Sequence, residues 1–459
     1  MVSASALDYP TPQIVGWNQT GDDQSKQFHV SMISSTLGYL RHLEKSRDED
    51  LVLIADGTLN YLQLRPQTLV DRYFDIVSRG NQRIQARLGR AADVEDIKQE
   101  IVFLAQRRCA PWSHDDPPCY AVPESTLPKD VYGPRTDVEL PDAKNPYSRV
   151  RPRYLASGVF MGPVAALRRL LTEASIRASQ DPHAGSADQI FSQLFAEQEL
   201  YRELMRQKHM SFPSRLSSGI AGLATSKNDL LEKHLQQVGE MAALQNRTLD
   251  YGIGLDYEGL VGYATGWAED DTEWLTHGDL LQVRTAAKAR QIESRNAEVL
   301  QQDILTSLPP FWTFTTQDMP RDRSWKDVSL FTDMRTGNVP AIVNYDAKQD
   351  GLEKTRKDWW DRMWFHEYSR AYYTARLNEP VIPVAVSGPV GEAPREWWSV
   401  DNWRGGVRNA DFKVKHAGDY ELFGSGAPGL WLRYEDLCTG MADDVFGDRK
   451  GDWWLPSDH

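Results

Sequence analysis

The stretch "LVLIADGTLNYLQLRP", residues 51–66, is the part of the sequence that says most about the fold. Its first residues, 51–54, are apolar, and the acidic turn "ADG" follows them. A short apolar run that ends at a turn predicts a strand buried on both faces of a parallel sheet. Asp56 would then lie at the end of that strand, where an aspartate can hold a metal or a sugar nucleotide. Because Leu59 stands where a second carboxylate would help, this stretch supplies only half of a metal site.

Strand and helix patterns alternate along the first part of the chain. The segments "PQIVGW", "LGYLRHLEKS", "DLVLIA" and "PQTLVDRYFDIVSR" predict strand, helix, strand and helix. This alternation predicts a sheet covered by helices. Further on, "YLASGVFMGPVAALRRLLTEA" predicts a strand, a glycine turn and a helix. Ser186 is expected to cap the helix in "SADQIFSQLFAEQELYRELMRQK".

Length and composition limit the domain organisation. The chain has 459 residues, 41% of them hydrophobic and 25% charged, which allows one large or two medium domains. We expect an α/β domain over residues 1–310 with a helical insertion at about 211–248, and a Trp-rich C-terminal part over 311–459 that packs on the same domain. Most of the 15 tryptophans should pack in the interior, and an aromatic-lined cleft is the alternative. The Pro- and Asp-rich segment 110–150 predicts a long ordered loop.

The charge of the chain bears on nucleic-acid binding. A net charge of −13 argues against broad, non-specific binding of nucleic acid, which needs a positive surface. A local basic groove on an acidic body is still compatible with this charge. Three basic segments could form one, and a solvated helix face is the commoner alternative for them: Arg149, Arg151 and Arg153; Arg168 and Arg169; Arg284, Lys288, Arg290 and Arg295.

Features that report on the cellular compartment are few. The start "MVSASALDYPTPQIVGW" has no basic region followed by a long apolar core, which predicts no signal peptide and no anchor. No run is apolar for long enough to span a bilayer, so we expect a cytoplasmic protein that does not contact a membrane. Cys109 and Cys119 could pair in an oxidising compartment, but three cysteines do not make a disulfide scaffold.

Several segments taken together carry a family resemblance. They are, in order, "DLVLIADG", "QLRP", "DDPPCYAVPESTLPKDVYGP", "RYLASGVFMGPVAALR", "ADQIFSQLFAEQELYR", "IGLDYEG", "EDDTEWL", "VPAIVNYDAK" and "WLRYEDLCTGMADDVFGD". This ordered set resembles a fungal family of glycosyltransferase-like proteins, which is similar in turn to the glycosyltransferase domain of the lysyl hydroxylases. The resemblance covers most of the chain. It implies a GT-A-like α/β fold with a mixed sheet flanked by helices on both sides.

The chain departs from this family at the metal site. Active members carry an acidic pair in a pattern like D-G-x-D and a histidine that completes a divalent-metal site. The resemblance places these ligands at Asp56, Leu59 and Asn344, so only the first is kept, and an expected asparagine is Ala156. Leucine cannot ligate a metal and asparagine is a weak substitute for imidazole. The resemblance therefore implies a pocket that has lost metal-dependent glycosyl transfer.

Within this family the chain looks like the arginine-containing cyclodipeptide synthases, which are cytosolic and use aminoacyl-tRNAs. That resemblance implies a cyclo(Arg-X) product, with arginyl-tRNA and a second aminoacyl-tRNA as substrates, no cofactor or metal, and no dedicated protein partner. A glycosyltransferase with a degenerate metal site and a non-catalytic pseudo-glycosyltransferase are the alternatives. The pair Cys109 and Cys119 matches a pair in secreted relatives and is expected to stay reduced here. The residues expected to follow the acceptor stems are Arg149, Arg151, Arg153, Arg284, Lys288 and Arg290.

Such a synthase needs carboxylates that bind a guanidinium, a base for an α-amine and, in some mechanisms, a hydroxyl nucleophile. The best acidic cluster is "AEDDTEW", with Glu269 as a substrate-binding residue and Asp270, Asp271 and Glu273 as catalytic ones. Adjacent carboxylates repel one another unless they are solvated or face a cation. The alternative is that Asp271 caps a helix that begins at "TEWL".

Five further residues are candidates for the same site. Asp56 is expected to line the pocket in a catalytic role, and Ser157 in "ASGVF" is the candidate nucleophile, with a structural turn serine as the alternative. Asp188 and Gln189 are placed near the substrate by the resemblance, and a helix N-terminal acid is the alternative for the first. Asp256 in "GLDYEG" is a substrate-binding carboxylate at a strand end or a turn former.

Overall fold

A computed structural model gives the structure of most of the chain. The residues that it describes are 2–10, 12–16, 27–57, 59–180, 186–210, 227–312, 314, 322–345, 352–376, 383–398, 420–424, 427–432 and 440–448.

The described residues form a mixed α/β fold, which confirms the predicted class. The strands are β1 Ile14–Val15, β2 Leu51–Ala55, β3 Asn60–Leu62, β4 Ile101–Gln106, β5 Tyr154–Pro163, β6 Ile253–Asp256, β7 Gly262–Ala264, β8 Thr272–Thr276, β9 Ser329–Asp333, β10 Ile342–Asn344, β11 Ala385–Ser387, β12 Arg395–Trp397, β13 Tyr420–Gly424 and β14 Ala427–Leu432. The helices are α1 Val2–Ala6, α2 Gln27–His42, α3 Pro66–Leu88, α4 Arg90–Val94, α5 Pro117–Tyr120, α6 Val164–Gln180, α7 Ala187–His209, α8 Lys227–Gln245, α9 Leu280–Ala289, α10 Gln302–Thr306, α11 Leu352–Arg362, α12 Ser369–Arg376 and α13 Ala442–Phe446. A GT-A-like arrangement of these elements remains a prediction.

The chain divides into two compact units. Unit 1 comprises Met1–Asn18, Asp56–Phe74 and Glu258–His459, and unit 2 comprises Gln19–Ala55 and Asp75–Tyr257. The boundary predicted between residues 310 and 311 therefore falls inside unit 1. Helix α8 lies in the second half of the predicted insertion, and residues 211–226 of that insertion are outside the described residues.

Unit 2 is built on a four-stranded sheet with the order β2-β5-β4-β6. β5 runs antiparallel to both of its neighbours, and β4 and β6 are parallel. The predicted parallel, fully buried setting of β2 is therefore wrong. Among the described residues β2 pairs only with β5, antiparallel to it, and its residues are half-buried or exposed, as is usual for an edge strand.

The core of unit 2 lies between this sheet and helices α2, α6 and α7. The rings of Phe103 in β4 and Phe160 in β5 are stacked with their centroids 4.5 Å apart, and Phe191 of α7 packs against both. Gly254 of β6 leaves room for the buried side chain of Gln99, which a Cβ at residue 254 would overlap.

The Pro- and Asp-rich segment of unit 2 is an ordered loop, as predicted, that also contains the short helix α5 and a 3-10 turn at Gly133–Arg135, and it is closed by a disulfide. Cys109, three residues after β4, is bonded to Cys119 in α5, and their Cα atoms are 5.6 Å apart. The expectation that these cysteines stay reduced is therefore wrong for this structure. A disulfide spans this Cα–Cα distance without movement of the backbone.

Unit 1 contains a three-stranded sheet with the order β3-β10-β7 and a separate β8-β9 pair. The fully buried Gln63, just after β3, connects the two. Its Nε2 donates to the carbonyls of Phe331 and Pro340, and its Oε1 accepts from the N–H of Phe331. The side chain therefore substitutes for strand hydrogen bonds at this point.

The tryptophans of unit 1 that the structure describes serve mainly in packing. Trp325 and Trp364 meet edge to face at 5.3 Å, and Trp274 and Trp359 do so at 6.3 Å. All four are buried, as predicted for most tryptophans, but five others are half-buried, so the prediction holds for only part of the described set: Trp267, Trp312, Trp360, Trp397 and Trp398. Among the described residues, no helix combines the length and the apolar character that crossing a bilayer requires.

Candidate functional site

The carboxyl ends of β7 and β10 in unit 1 bring several candidate residues together. β10 lies between β3 and β7, antiparallel to the first and parallel to the second. Asn344, the last residue of β10, is the register partner of Asn60, the first residue of β3. Asn344 is 5% exposed, and its Nδ2 donates to Oδ1 of Asn60 over 2.9 Å. The two side-chain amides therefore hold each other at this end of the sheet.

Asp56 joins the same group of hydrogen bonds through its backbone. Nδ2 of Asn60 donates to the carbonyl oxygen of Asp56 over 2.8 Å. The carbonyl of Leu59 accepts the N–H of Tyr345, the residue after β10, over 2.7 Å. The three positions that the resemblance assigns to metal ligands thus lie in one hydrogen-bonded group. At one of them the Asn344 amide is paired with Asn60, and at another Leu59 carries an aliphatic side chain.

Asn60 was not among the predicted site residues. The sequence marks Asn60 only as a polar residue at the start of β3, and β3 itself was not predicted. The pairing with Asn344 joins residues that are 284 positions apart, which no local pattern reveals. Within the described part of the chain, no group of three or more His, Cys, Asp and Glu side chains is arranged to hold a metal ion.

The predicted acidic cluster forms a short 3-10 helix, Glu269–Asp271, followed by β8. The expectation of a helix at "TEWL" is wrong, because residues 272–276 pair with β9 as a strand. The two apolar residues of the segment, Trp274 and Leu275, are adjacent and both buried, so no period-2 pattern marks a strand here, and the pairing with β9 decides it.

The carboxylates of this cluster fall into two groups. Glu269 and Asp270 are exposed. Asp271 is 4% exposed and its Oδ1 accepts from Nε of Arg335 over 3.0 Å. Glu273 is half-buried and accepts from Nη2 of Arg290 over 2.9 Å. Two of the four carboxylates therefore already face a guanidinium of the chain itself, which relieves their mutual repulsion.

In unit 2, the structure brings together Ser157 and Asp188. Oδ1 of Asp188, in the first turn of α7, accepts the backbone N–H of Ser157 over 2.6 Å. The predicted glycine turn at "ASG" is wrong. Residues 154–163 form one strand, and the register of β5 against β4 shifts there, from Phe160 opposite Phe103 to Ala156 opposite Leu104. The irregularity leaves the Ser157 N–H available for a side-chain acceptor.

The N-terminus of α7 agrees with the prediction. The side chain of Ser186 accepts the N–H of Gln189 over 3.2 Å, as expected of an N-cap. Asp188 is both a helix N-terminal acid and a partner of the neighbouring strand, so the two alternatives for it are compatible. Asp188 and Gln189 are half-buried.

Asp256 lies at the carboxyl end of β6, at the same edge of the sheet in unit 2. It is the register partner of Leu104, which in turn is opposite Ala156 of β5. Because neighbouring strands lie about 4.8 Å apart, Asp256 is roughly 10 Å from Ala156 across the sheet. Asp256 is buried and belongs to the strand, so it is not a turn former. The candidates thus form two groups, one in each unit.

Two of the arginines predicted to contact tRNA are tied to the loop of unit 2. Arg151 is 6% exposed, and its guanidinium donates to the carboxylate of Asp137 and to the carbonyl of Leu127. Burial tends to raise the pKa of Asp137, but the hydrogen bonds and charge of Arg151 outweigh it and hold that pKa below its ordinary value. Arg153 donates to the carbonyls of Pro123 and Val122. Both side chains brace the loop, and their contact with RNA phosphates stays a prediction.

The remaining predicted basic residues are in different settings. Arg284 is exposed and paired with Glu298, and hydrogen bonds from Arg284 and Ser294 lower the pKa of Glu298 to about 2. Arg290 forms an ion pair with Glu273. Lys288 is exposed and Arg149 is half-buried. Together with Arg153, whose hydrogen bonds go to carbonyls, these last two are the members of the predicted set for which the described structure gives no acidic side chain within ion-pair distance.

A buried histidine of unit 1 was also missed. His277 is 3% exposed, with Nδ1 3.0 Å from the carbonyl of Ala297 and Nε2 3.1 Å from Oγ1 of Thr332. Because a carbonyl can only accept, Nδ1 carries the proton of the neutral ring. Burial lowers the pKa of His277 to about 4. These contacts indicate a structural histidine.

Comparison with known proteins adds no assignment, since neither a protein-family model nor a curated protein sequence matches the chain.

Proposed function

We propose that this protein makes an arginine-containing cyclodipeptide, cyclo(Arg-X), from aminoacyl-tRNAs. The observation that carries the proposal is the amide pair of Asn60 and Asn344 at the place where the resemblance calls for a metal ligand. An amide pair does not supply the anionic oxygens that a hard cation prefers beside a nucleotide-sugar diphosphate. In the proposal, exposed carboxylates near this position attract a different, positively charged substrate.

The chemistry of such a synthase is within reach of side chains alone. Each aminoacyl ester is already activated, so attack of one α-amine on the other ester forms an amide and releases a tRNA. A second attack closes the ring and releases the second tRNA. In the proposal, the exposed Glu269 and Asp270 attract the arginyl guanidinium. Asp271 and Glu273, which hold Arg335 and Arg290, support that segment.

Within unit 2, three residues are candidates for handling an aminoacyl ester. Ser157 offers a hydroxyl that would accept the first aminoacyl group and release its tRNA, and Asp188 fixes the serine backbone. On this route the second tRNA leaves when the first amide forms, and ring closure releases the serine hydroxyl. Asp256 lies at the same sheet edge as a further carboxylate. Lys288 and Arg149 would contact RNA phosphates, and a cytoplasmic location gives access to aminoacyl-tRNA.

The second candidate function is glycosyl transfer from a nucleotide sugar with a degenerate metal site. The observation that favours it is the disulfide between Cys109 and Cys119. Disulfides persist in oxidising compartments and are rare in the cytosol. A secreted or luminal glycosyltransferase-like protein accounts for this bond directly, whereas a cytoplasmic synthase would have to keep it against cellular thiols. A non-catalytic relative that binds a partner is the third candidate.

Expression of the full chain in a host without such an enzyme, followed by mass spectrometry of the medium, tests the proposal. A new diketopiperazine with the mass of arginine plus a second residue, absent from the empty-vector culture, is the expected result. The matched control is Ser157→Ala, which leaves the hydrogen bond from the backbone N–H of residue 157 in place while removing the hydroxyl. Turnover of a UDP-sugar by the purified protein, with no such product, would reverse the order of the two candidates.

A further inference from the structure

Trp267 has a backbone conformation that is unusual for its type. Among the described non-glycine residues, six have a positive φ, and four of these are Asp or Asn, which tolerate the left-handed region. Trp267 is the only aromatic residue of the six, with φ of +62°. For a bulky side chain this conformation costs free energy, so the surrounding structure must hold it in place.

Trp267 lies in a tight turn whose sequence does not suit its backbone conformation. The N–H of Ala268 donates to the carbonyl of Thr265 over 2.8 Å, so residues 265–268 form a turn with Gly266 and Trp267 at its centre. A turn with positive φ at its third residue normally places glycine there. Here the glycine is one position earlier and does not have a positive φ. With the two residues exchanged, glycine would adopt the positive φ without cost, yet the chain has tryptophan at that position.

Hydrogen bonds on both sides hold this turn to the candidate site of unit 1. The N–H of Thr265 donates to the carbonyl of Asn344 over 3.0 Å, and Asn344 is bonded in turn to Asn60. On the other side, the hydroxyl of Tyr263 donates to the carbonyl of Ala268 over 3.3 Å. The turn is thus fixed directly beside the end of β10, where Asp56 also lies.

The surroundings of Trp267 favour a cationic ligand. The residue is half-buried, so the protein covers only part of its surface. The exposed carboxylates of Glu269 and Asp270 follow within three residues, and their charge attracts cations and repels phosphates. A guanidinium is flat and weakly hydrated, and it stacks on an indole face more readily than an ammonium does.

We propose that Trp267 is the platform on which the guanidinium of the arginyl group stacks, and that it thereby selects arginine over lysine. This inference rests on the proposed function, since it names the residue that recognises the arginyl substrate. The backbone cost at residue 267 is then retained because it aims the ring at the ligand.

Two substitutions separate the ring from the backbone conformation. Trp267→Asn fits the left-handed region and removes the ring, whereas Trp267→Phe keeps an aromatic face in the same conformation. The full-length wild type and both variants are titrated with arginine methyl ester and with lysine methyl ester by calorimetry. We expect Trp267→Asn to weaken binding of the arginine ester by roughly three- to thirty-fold and to abolish the preference over the lysine ester. Trp267→Phe should retain most of the affinity for the arginine ester and most of the preference for it over the lysine ester.

The outcomes distinguish this inference from the proposed function. Unchanged affinity and unchanged arginine preference in Trp267→Asn would overturn the inference, and so would a wild type that binds neither ester. Diketopiperazine formation by the wild type is scored separately. If product forms and Trp267→Asn keeps its KM for arginyl-tRNA, only the inference fails. If no product forms but the arginine ester binds in a Trp267-dependent way, the inference stands and the proposed function fails. Trp267→Gly, which also fits the backbone, replaces Trp267→Asn if that variant does not fold.

Discussion

Asn344 and Asn60 hold each other by a side-chain hydrogen bond of 2.9 Å between two strands, and Asn344 stands where the proposed resemblance calls for a metal-binding histidine. The bond ties the end of β10 to the start of β3, and Asn60 extends it to the backbone of Asp56. This edge of the sheet is therefore organised by neutral amides, which sets it apart from a site built around a divalent cation.

The first prediction concerns the energy of this amide pair. Asn344→Ala and Asn60→Ala should each lower the free energy of unfolding by about 1–2 kcal/mol, because each removes the hydrogen bond between the buried Asn344 amide and the half-buried Asn60 amide. The double variant should cost less than the sum of the two, with an interaction energy of about 1 kcal/mol. Urea denaturation of the four proteins measures this. Strict additivity would show that the pair contributes nothing.

The second prediction concerns metal binding at the same place. Wild-type protein titrated with Mn²⁺ should show no saturable binding, because leucine and asparagine are poor ligands for a hard cation. The double variant Leu59→Asp/Asn344→His restores the expected ligand types beside Asp56 and should gain binding. Each single variant serves as a control. Tight Mn²⁺ binding by the wild type would contradict the proposed loss of the metal site.

The third prediction separates structural from functional roles within the acidic segment. Asp271→Ala should lower stability by about 1–3 kcal/mol, because it leaves the guanidinium of Arg335 without its carboxylate. Asp270→Ala changes an exposed residue and should alter stability by no more than about 0.5 kcal/mol. Product formation in the Asp270 variant is therefore the cleaner measure of a role in the site. Full activity in that variant would remove Asp270 from the proposed mechanism.

The fourth prediction concerns close packing in unit 2. Gly254→Ala should destabilise the protein by about 1–3 kcal/mol, because the new methyl group overlaps the buried side chain of Gln99. Gly57→Ala is the matched control, since nothing lies within 4 Å of a Cβ at that residue. Thermal unfolding of both variants gives the comparison. Equal melting temperatures would mean that Gln99 moves aside without cost.

The fifth prediction concerns the pH dependence of stability. The folded state lowers the pKa of His277 to about 4, so between that pH and about 6.5 the unfolded chain binds more protons than the folded one. This residue's contribution is therefore fully present above about pH 6.5 and is lost as the pH falls toward 4, by roughly 2–4 kcal/mol in total. His277→Gln should flatten the stability profile in that window. A profile identical to that of the wild type would assign the dependence to other groups.

Some features followed from the sequence because they depend on neighbours in the chain. The α/β class came from alternating apolar and amphipathic segments, whose periods act over a few residues. The cap at Ser186 is likewise local, since its hydroxyl reaches an N–H three residues on. The interior role of tryptophans such as Trp325 follows from the size and apolarity of the side chain itself.

Other features were decided only by the tertiary structure. The antiparallel pairing of β2, the irregular register at Ser157 and the pairing of Asn60 with Asn344 depend on which strands meet and in which direction. Arg151 looked like a solvent-facing cation, yet a loop folds around it and Asp137 neutralises it. The physical reason is common to these cases: strand order, register and ion pairing are set by contacts between distant residues, and their free energies do not appear in any local pattern of the sequence.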